Sequence, residues 1–556
     1  MAETEKLPDD AWRLDDSSAA PDLREPALTP VTTAIPANLS HDRLTRPVYV
    51  VTAEHLAWYV IVLYALITRI VALGARPLDP TQGTDALAAW LIALHGRAAL
   101  ALADASWVTI LQAWIFNAIG ANDAAARIVV ALCGLLLVAI AFAMRPVLGR
   151  AGALAFAALI SISPSLGYFS RGGSTLIASV ALMMVAIAIA ESLRRRPGVA
   201  RAAVLGVAIA LWLTADPIGY VTALATLLSL ILVGALDAVR MDHRRLRLRV
   251  WWARRRAAVI ACAIVALGVT IELTTAFLHR PLAASVNYFF GAIFASPSIA
   301  VQLGLHRLVP ILGFYEFIVV GLALVGAFAI VTRRVGDRFA VWSLVWAIAM
   351  IATLLTLSAN HPDAVVAILL PLMIVGAYAI EWIHQTERWS SVRYAIAAAV
   401  AVTLYVQFIT NFVYPSPDTS EAPWRRHALL FWSEPTTSIR AVRECERVRR
   451  EIPTAGASAF VPDDAPQVQW YLRNYEQTAL PKSANVAVMI ARTKPGSVAG
   501  DAESGEFGFE EWWTPDFSAL TAGRAIVYLI TQRAWSDVEI RDLTISVSPP
   551  KPAQGA

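Results

Sequence analysis

The chain has 556 residues, of which 57% are hydrophobic and 16% charged, with a formal net charge of +4 at pH 7. Soluble domains carry about 25% charged residues, so a soluble globular fold is excluded, and so small a net charge gives no nucleic-acid signal. Cys133, Cys262 and Cys445 are spaced for neither a zinc site nor an evident disulfide.

Residues 1–48 are rich in Pro, Asp, Ala and Thr and lack an apolar core. They read as a disordered cytoplasmic tail, with no cleavable signal peptide. The first apolar run, 54–74, is expected to act as an uncleaved anchor. Ten further spans follow: 124–146, 150–168, 174–193, 198–214, 217–239, 257–278, 309–332, 338–358, 363–384 and 393–412. Each approaches the roughly 20 residues that a bilayer-crossing helix needs. The segment 106–119 is apolar but short, which suits a re-entrant or interfacial helix, and 84–102 has a helical pattern that is similarly ambiguous.

Basic residues set the expected orientation. With the N-terminus inside, the dense Arg clusters at 194–196, 240–256 and 333–338 all fall on the cytoplasmic side, as the positive-inside rule requires. The run Met241–Arg256 then reads as a topology-setting loop touching anionic lipid. Three longer regions face outward: the first outer loop 75–123, the loop 279–308, and the C-terminal region 413–556. In the last, Thr436–Ile452 has helical periodicity behind a Thr cap. Ala457–Val461, Asn485–Ile490 and Ala525–Ile530 read as short buried strands. The expected architecture is an all-α polytopic membrane domain (49–412, about eleven helices) with a small extracytoplasmic α/β domain (413–556). No internal repeat of the transporter kind is visible.

Charges inside a bilayer are costly and need a reason. On this topology Arg69, Arg171, Asp216, Glu272, His306, Arg307 and Glu316 gather toward the outer leaflet, with Tyr168, Tyr288 and Tyr315 at the same level. Arg forks match phosphate geometry. The cluster therefore suits a lipid with an anionic phosphate head and its tail in the bilayer. The plainer reading of each residue singly is snorkelling or pairing at a helix end.

Several stretches, in order, resemble the GT-C superfamily of membrane glycosyltransferases. The resemblance is greatest to the flippase-activity-associated family of archaea and bacteria, which is related to protein mannosyltransferases and aminoarabinose transferases. They are ITRIVALGARPL (67–78), NAIGANDAAARIVVALCG (117–134), SPSLGYFSRGGS (163–174), GFYEF (313–317), QWYLRNY (469–475) and YLITQRAW (528–535). The resemblance implies sugar transfer from a polyprenyl-phosphate carrier on the outer face. If the chain is an active glycosyltransferase, Asp79 or Asp85 would act as its general base. Arg69, Arg171, Asp216, His306, Arg307, Tyr315 and Glu316 are the residues expected to bind substrate. No cofactor is fixed by the sequence; a divalent cation positioned by Asp216 or Glu316 stays open. Glycan-assembly proteins are the partners such a chain would have.

The sequence also departs from that family's pattern. The Asp-Glu pair expected just after "RPL" falls near Thr81-Gln82. A second Arg and an acid after Arg171 are replaced by Gly172-Gly173-Ser174-Thr175, an expected His-Gly-Pro by Asp104-Ala105-Ser106, and a Lys-Glu pair by Ala215-Asp216. Three readings therefore stand: an active glycosyltransferase, a catalytically silent lipid-binding relative that assists glycan assembly or flipping, and an unrelated transporter.

Overall fold

A hydrocarbon layer offers backbone N–H and C=O groups no water to bond, so apolar runs of this length resolve into helices. The computed structural model describes residues 52–96, 106–239, 244–277, 304–332, 337–357, 362–386, 389–414, 426–432, 436–452, 458–461, 465–477, 486–491 and 503–547. The 1–48 tail and most of the 279–308 loop lie outside the described residues.

The helices in chain order are α1 (Ala53–Ile70), α2 (Pro80–His95), α3 (Trp107–Ile119), α4 (Asp123–Ala143), α5 (Arg145–Ile162), α6 (Pro164–Arg171), α7 (Leu176–Arg195), α8 (Val199–Ala215), α9 (Ile218–Val239) and α10 (Arg244–Ile271). They continue with α11 (Gly304–Tyr315), α12 (Phe317–Val331), α13 (Arg338–Thr356), α14 (Val365–Gln385) and α15 (Trp389–Phe408). Every expected span contains a helix. Among the described residues nine are long and apolar enough to cross a membrane, and ten if α11 and α12 count as one bent span. The eleventh, α8, has 17 residues. The protein is a multi-pass membrane protein. The short 106–119 segment is the 13-residue α3, lying after α2 in the polar loop.

Two expected spans are broken. The 150–168 segment stops at Ser163, whose hydroxyl caps α6 by accepting from the Leu166 N–H. Pro164 follows at the first helical position, where its missing N–H costs nothing. The 309–332 segment bends by 96° at Glu316. The two breaks meet: the Glu316 carboxylate accepts from Ser163 Oγ at 2.6 Å and from the Ser165 N–H at 3.0 Å. A buried acid is tolerated here because the N-terminal end of α6 supplies the donors.

Indole N–H groups buried between helices find hydroxyl partners. Trp346 donates to Thr226 at 3.1 Å and Trp342 to Ser229 at 3.0 Å, which join α13 to α9. Close backbone approach needs glycine at Gly326, where a Cβ would fall 2.0 Å from the Val375 carbonyl of α14.

The C-terminal region forms a six-stranded mixed sheet in the order β1-β5-β6-β4-β2-β3. Its strands are β1 (Thr436–Thr437), β2 (Ser458–Phe460), β3 (Glu476–Gln477), β4 (Val486–Ala491), β5 (Glu503–Trp512) and β6 (Glu539–Val547). The β1/β5, β5/β6 and β4/β6 pairs are antiparallel, and the β2/β4 and β2/β3 pairs parallel. Helices α16 (Ile439–Glu451), α17 (Pro466–Tyr471) and α18 (Ala522–Thr531) accompany the sheet. Two expectations are corrected. Ala525–Ile530 lies in α18, capped by Thr521; a six-residue apolar run does not distinguish strand from helix. The 436–452 stretch begins as a strand, and Ser438, not a Thr, caps α16.

Candidate functional site

The polar stretch after α1 is held down residue by residue. Arg127 of α4 is buried and donates to the carbonyls of Leu73 at 3.1 Å and Pro77 at 2.7 Å, to that of Arg76, and to Gln82 Oε1 at 2.8 Å. One guanidinium thus staples the whole 73–82 loop. The Gln82 amide also donates to Asp79 at 3.1 Å, and Asp79 is ion-paired with Arg76. Thr437 of β1 closes the loop from the other side, donating through its hydroxyl to the Leu78 carbonyl at 2.8 Å and through its N–H to Asp79 at 3.4 Å. Gln82 is therefore chemically matched to its place. Its amide accepts from Arg127 and donates to Asp79, and a glutamate could not do both.

The family-like motifs turn out to be one another's packing partners. Asp123, at the start of α4, accepts from Trp470 Nε1 and Tyr471 Oη, both at 2.8 Å. Arg473 lies over the Trp470 ring at 3.9 Å and donates to the Ala121 carbonyl at 2.7 Å. Tyr471 also receives the Leu78 N–H at 2.9 Å. Tyr315 shares a 2.5 Å bond with Tyr528, donates to Gln532 at 3.0 Å and stacks on Phe431. Gly83 lets α2 lie directly on α17, since a Cβ there would meet Gln467 Cα at 2.6 Å.

Several residues expected to bind substrate serve these joints. Arg171 donates to the carbonyls of Thr68, Val71 and Ala72, so it caps the C-terminal end of α1 and covers Phe412 at 4.4 Å. Arg307 donates to Trp432 O at 3.0 Å and Trp513 O at 3.4 Å. Arg69 is fully buried and reaches Ile160 O at 2.8 Å. Glu316 is the latch between the two helix breaks. His306 lies in α11, and its side chain is outside the described set.

A cationic cleft remains beside these joints, lined by Arg76, Tyr168, Arg171, Thr410 and Asn411. Arg76 lies over the Tyr168 ring at 4.4 Å. Burial, followed by the nearby guanidiniums of Arg127 and Arg76, pushes the Arg171 pKa down to about 10. Burial is the larger cause, and the neighbouring guanidiniums add a smaller like-charge contribution, which an anion in the cleft would offset.

Asp85 lies near Asp216, and of the two only Asp85 is left out of the scaffold's bonds. Asp85 sits on α2, one turn beyond the stapled loop. Trp107 Nε1 bonds Leu211 O at 3.0 Å and so lays α3 against α8, which ends at Asp216. Asp216 accepts from Thr175 Oγ1 at 2.5 Å and from the Ile218 N–H at 2.8 Å. Asp85 receives no hydrogen bond or ion pair among the described residues. Burial, followed by repulsion from Asp216, pushes its pKa up to about 7. A third acid, Asp363, accepts from Ser174 at 2.9 Å, next to Thr175; the sequence reading missed it because it stands alone before α14. Gly173 turns the chain here at φ +77°, so the glycine at 173 answers a backbone need. Among the described residues no three His, Cys, Asp or Glu side chains converge to hold a metal ion.

No protein-family model and no curated protein matches the chain. Solved structures do. ArnT from Cupriavidus metallidurans, bound to undecaprenyl phosphate and in the apo state, is similar at TM-score 0.52 and 14% identity, over 90% of this chain and 100% of its own. The Archaeoglobus fulgidus oligosaccharyltransferase AglB, in complex with an inhibitory peptide and a dolichol-phosphate, is similar at TM-score 0.47 and 13% identity, over 79% of this chain and 69% of its own. The likeness to ArnT shows the fold: the chain shares the architecture of that membrane protein over nearly its whole length.

Proposed function

We propose that this protein is a GT-C-type glycosyltransferase that takes sugar from a polyprenyl-phosphate carrier, with Asp85 as its base. The proposal places the sheet domain and the Asp85–Asp216 pair on the extracytoplasmic side, and the Arg-rich loops in the cytoplasm. The observation that carries it is the Asp85 carboxylate, which is half-buried, lies beside Asp216, has no scaffold duty and has its pKa raised to about 7. A base tuned near neutrality is suited to accept a proton in the transition state. In the proposed step the acceptor hydroxyl oxygen attacks the anomeric carbon. Asp85 takes the hydroxyl proton, and the carrier phosphate leaves with the bonding electron pair. The cleft at Arg76 and Arg171 supplies positive charge for that phosphate. The lipid bound in the ArnT crystal structure belongs to the same chemical class of carrier.

A silent, lipid-binding role is favoured by a different observation. Asp79, the acid nearest the position where the family resemblance puts its base, is closed into an ion pair with Arg76 and bonds from Gln82 and Thr437. Reconstitution in liposomes with a polyprenyl-phosphate sugar separates the two roles. Transfer that Asp85→Asn abolishes and Asp79→Asn only weakens supports the enzyme. Binding of the carrier with no transfer by the wild type overturns it.

A further inference from the structure

An apolar groove lies away from the site above. It encloses about 440 Å³ between α1, α5, α12, α14 and α15. Ala57 and Ile61 of α1, Ala155 and Ala158 of α5, and Val400 of α15 form its wall, and His384 in the last turn of α14 also lines it. Small residues along α5 hold the neighbouring helices open here, because alanine side chains cannot fill the space between them. The groove runs along α5 from Ala151 to Ile162, just below the Ser163–Glu316 latch. At 1.5 Å per residue that is about 16 Å, roughly half of the ~30 Å hydrocarbon layer. Its depth matches one leaflet.

Away from the Ser163–Glu316 latch the groove reaches the rim of the bundle where α5 and α15 begin and α14 ends. That rim is cationic. Arg150 immediately precedes the first lining residue of α5, is exposed, and has no ion-pair partner among the described residues. Arg393 is exposed one turn before Ile396, which also lines the groove. Arg145 is already paired with Glu54 at 2.6 Å. Glu381, the acid nearest the rim, is occupied by the Gly152 N–H at 2.8 Å and Gln385 at 2.9 Å. Arg393 donates to the Tyr394 hydroxyl at 3.0 Å but, like Arg150, has no ion pair among the described residues, and two such arginines over a one-leaflet apolar slot are complementary to an acyl chain carrying an anionic head.

We infer that this groove is a binding site for an anionic phospholipid of the leaflet opposite the sheet domain, separate from any carrier-lipid site at Asp85. One acyl chain lies against α5, and the phosphate sits among Arg150, His384 and Arg393. The inference does not depend on sugar transfer, because it concerns the other face of the bundle.

Native mass spectrometry of the full chain tests it, after exchange into nanodiscs of phosphatidylcholine with 30% phosphatidylglycerol, a mixture set at about the anionic content that gives a membrane its surface potential. The expected result is one phosphatidylglycerol retained per chain. Retention should fall about tenfold in Arg150→Ala/His384→Ala, which alters only exposed side chains, and also in the groove-filling Ala155→Phe. Phosphatidylcholine retained as strongly as phosphatidylglycerol overturns the inference. So does retention that the rim double variant leaves unchanged, or displacement of the phospholipid by added polyprenyl phosphate.

Discussion

Replacing Asp216 with Asn should make the proposed reaction tolerate acid. Asp85 is held near pKa 7, against an ordinary value of 3.8, first by burial and second by the Asp216 charge. Asp216, as the smaller cause, accounts for less than half of that rise, so its removal moves the midpoint down by about one pH unit. The sign follows from the role. A base works ionised, so activity rises as pH climbs through the Asp85 pKa. At pH 6 a group of pKa 7 is about 9% ionised and a group of pKa 6 about 50% ionised. Asp216→Asn should thus be about fivefold more active than wild type at pH 6 and nearly equal to it at pH 8.5. The backbone bond from Ile218 can persist, since an asparagine oxygen accepts as well as a carboxylate does. The assay is sugar transfer in liposomes between pH 5.5 and 8.5, with Asp85→Asn beside it. An unshifted profile in Asp216→Asn, or full activity in Asp85→Asn, refutes the assignment.

Other substitutions test the scaffold. Arg127→Met strands four buried acceptors in the 73–82 loop and should cost about 3–5 kcal/mol, read as a fall in Tm in detergent; a Tm within 1 °C of wild type, well under the change about 1 kcal/mol brings, would show that the staple carries no load. Gly326→Ala puts a methyl group 2.0 Å from the Val375 carbonyl and should cost about 3 kcal/mol by forcing α12 from α14. Gln82→Glu restores an acid at the place where the family resemblance expects one, yet should give no gain in transfer, because that position serves Arg127 and Asp79; a severalfold gain would move the base away from Asp85.

Much of the architecture was legible because a bilayer forces it. All eleven apolar segments became helices, since backbone groups in hydrocarbon have no other way to be satisfied. The breaks at Ser163 and Glu316 were less legible, although each left a mark: Ser-Pro in one apolar run and a lone acid in the other. Short apolar runs in the C-terminal domain misled at 525–530, where helix and strand share the same composition and only the Thr521 cap decides.

The residues picked for polarity divided in a way that no spacing could reveal. Arg69, Arg171, Arg307, Tyr315 and Glu316 stood out as costly groups near one membrane surface. Their bonds lead to carbonyls and hydroxyls on segments up to 217 positions away, as between Tyr315 and Gln532. The sequence by itself determined the helices, the polar loop after the first of them and the list of charges needing a reason, because these follow from local composition against a hydrocarbon solvent. Only the tertiary structure decided which charges are spent holding the loop, the latch and the sheet domain together, and that Asp85 is left without a bond near Asp216. A hydrogen bond depends on where distant segments meet, and that is a property of the packed chain.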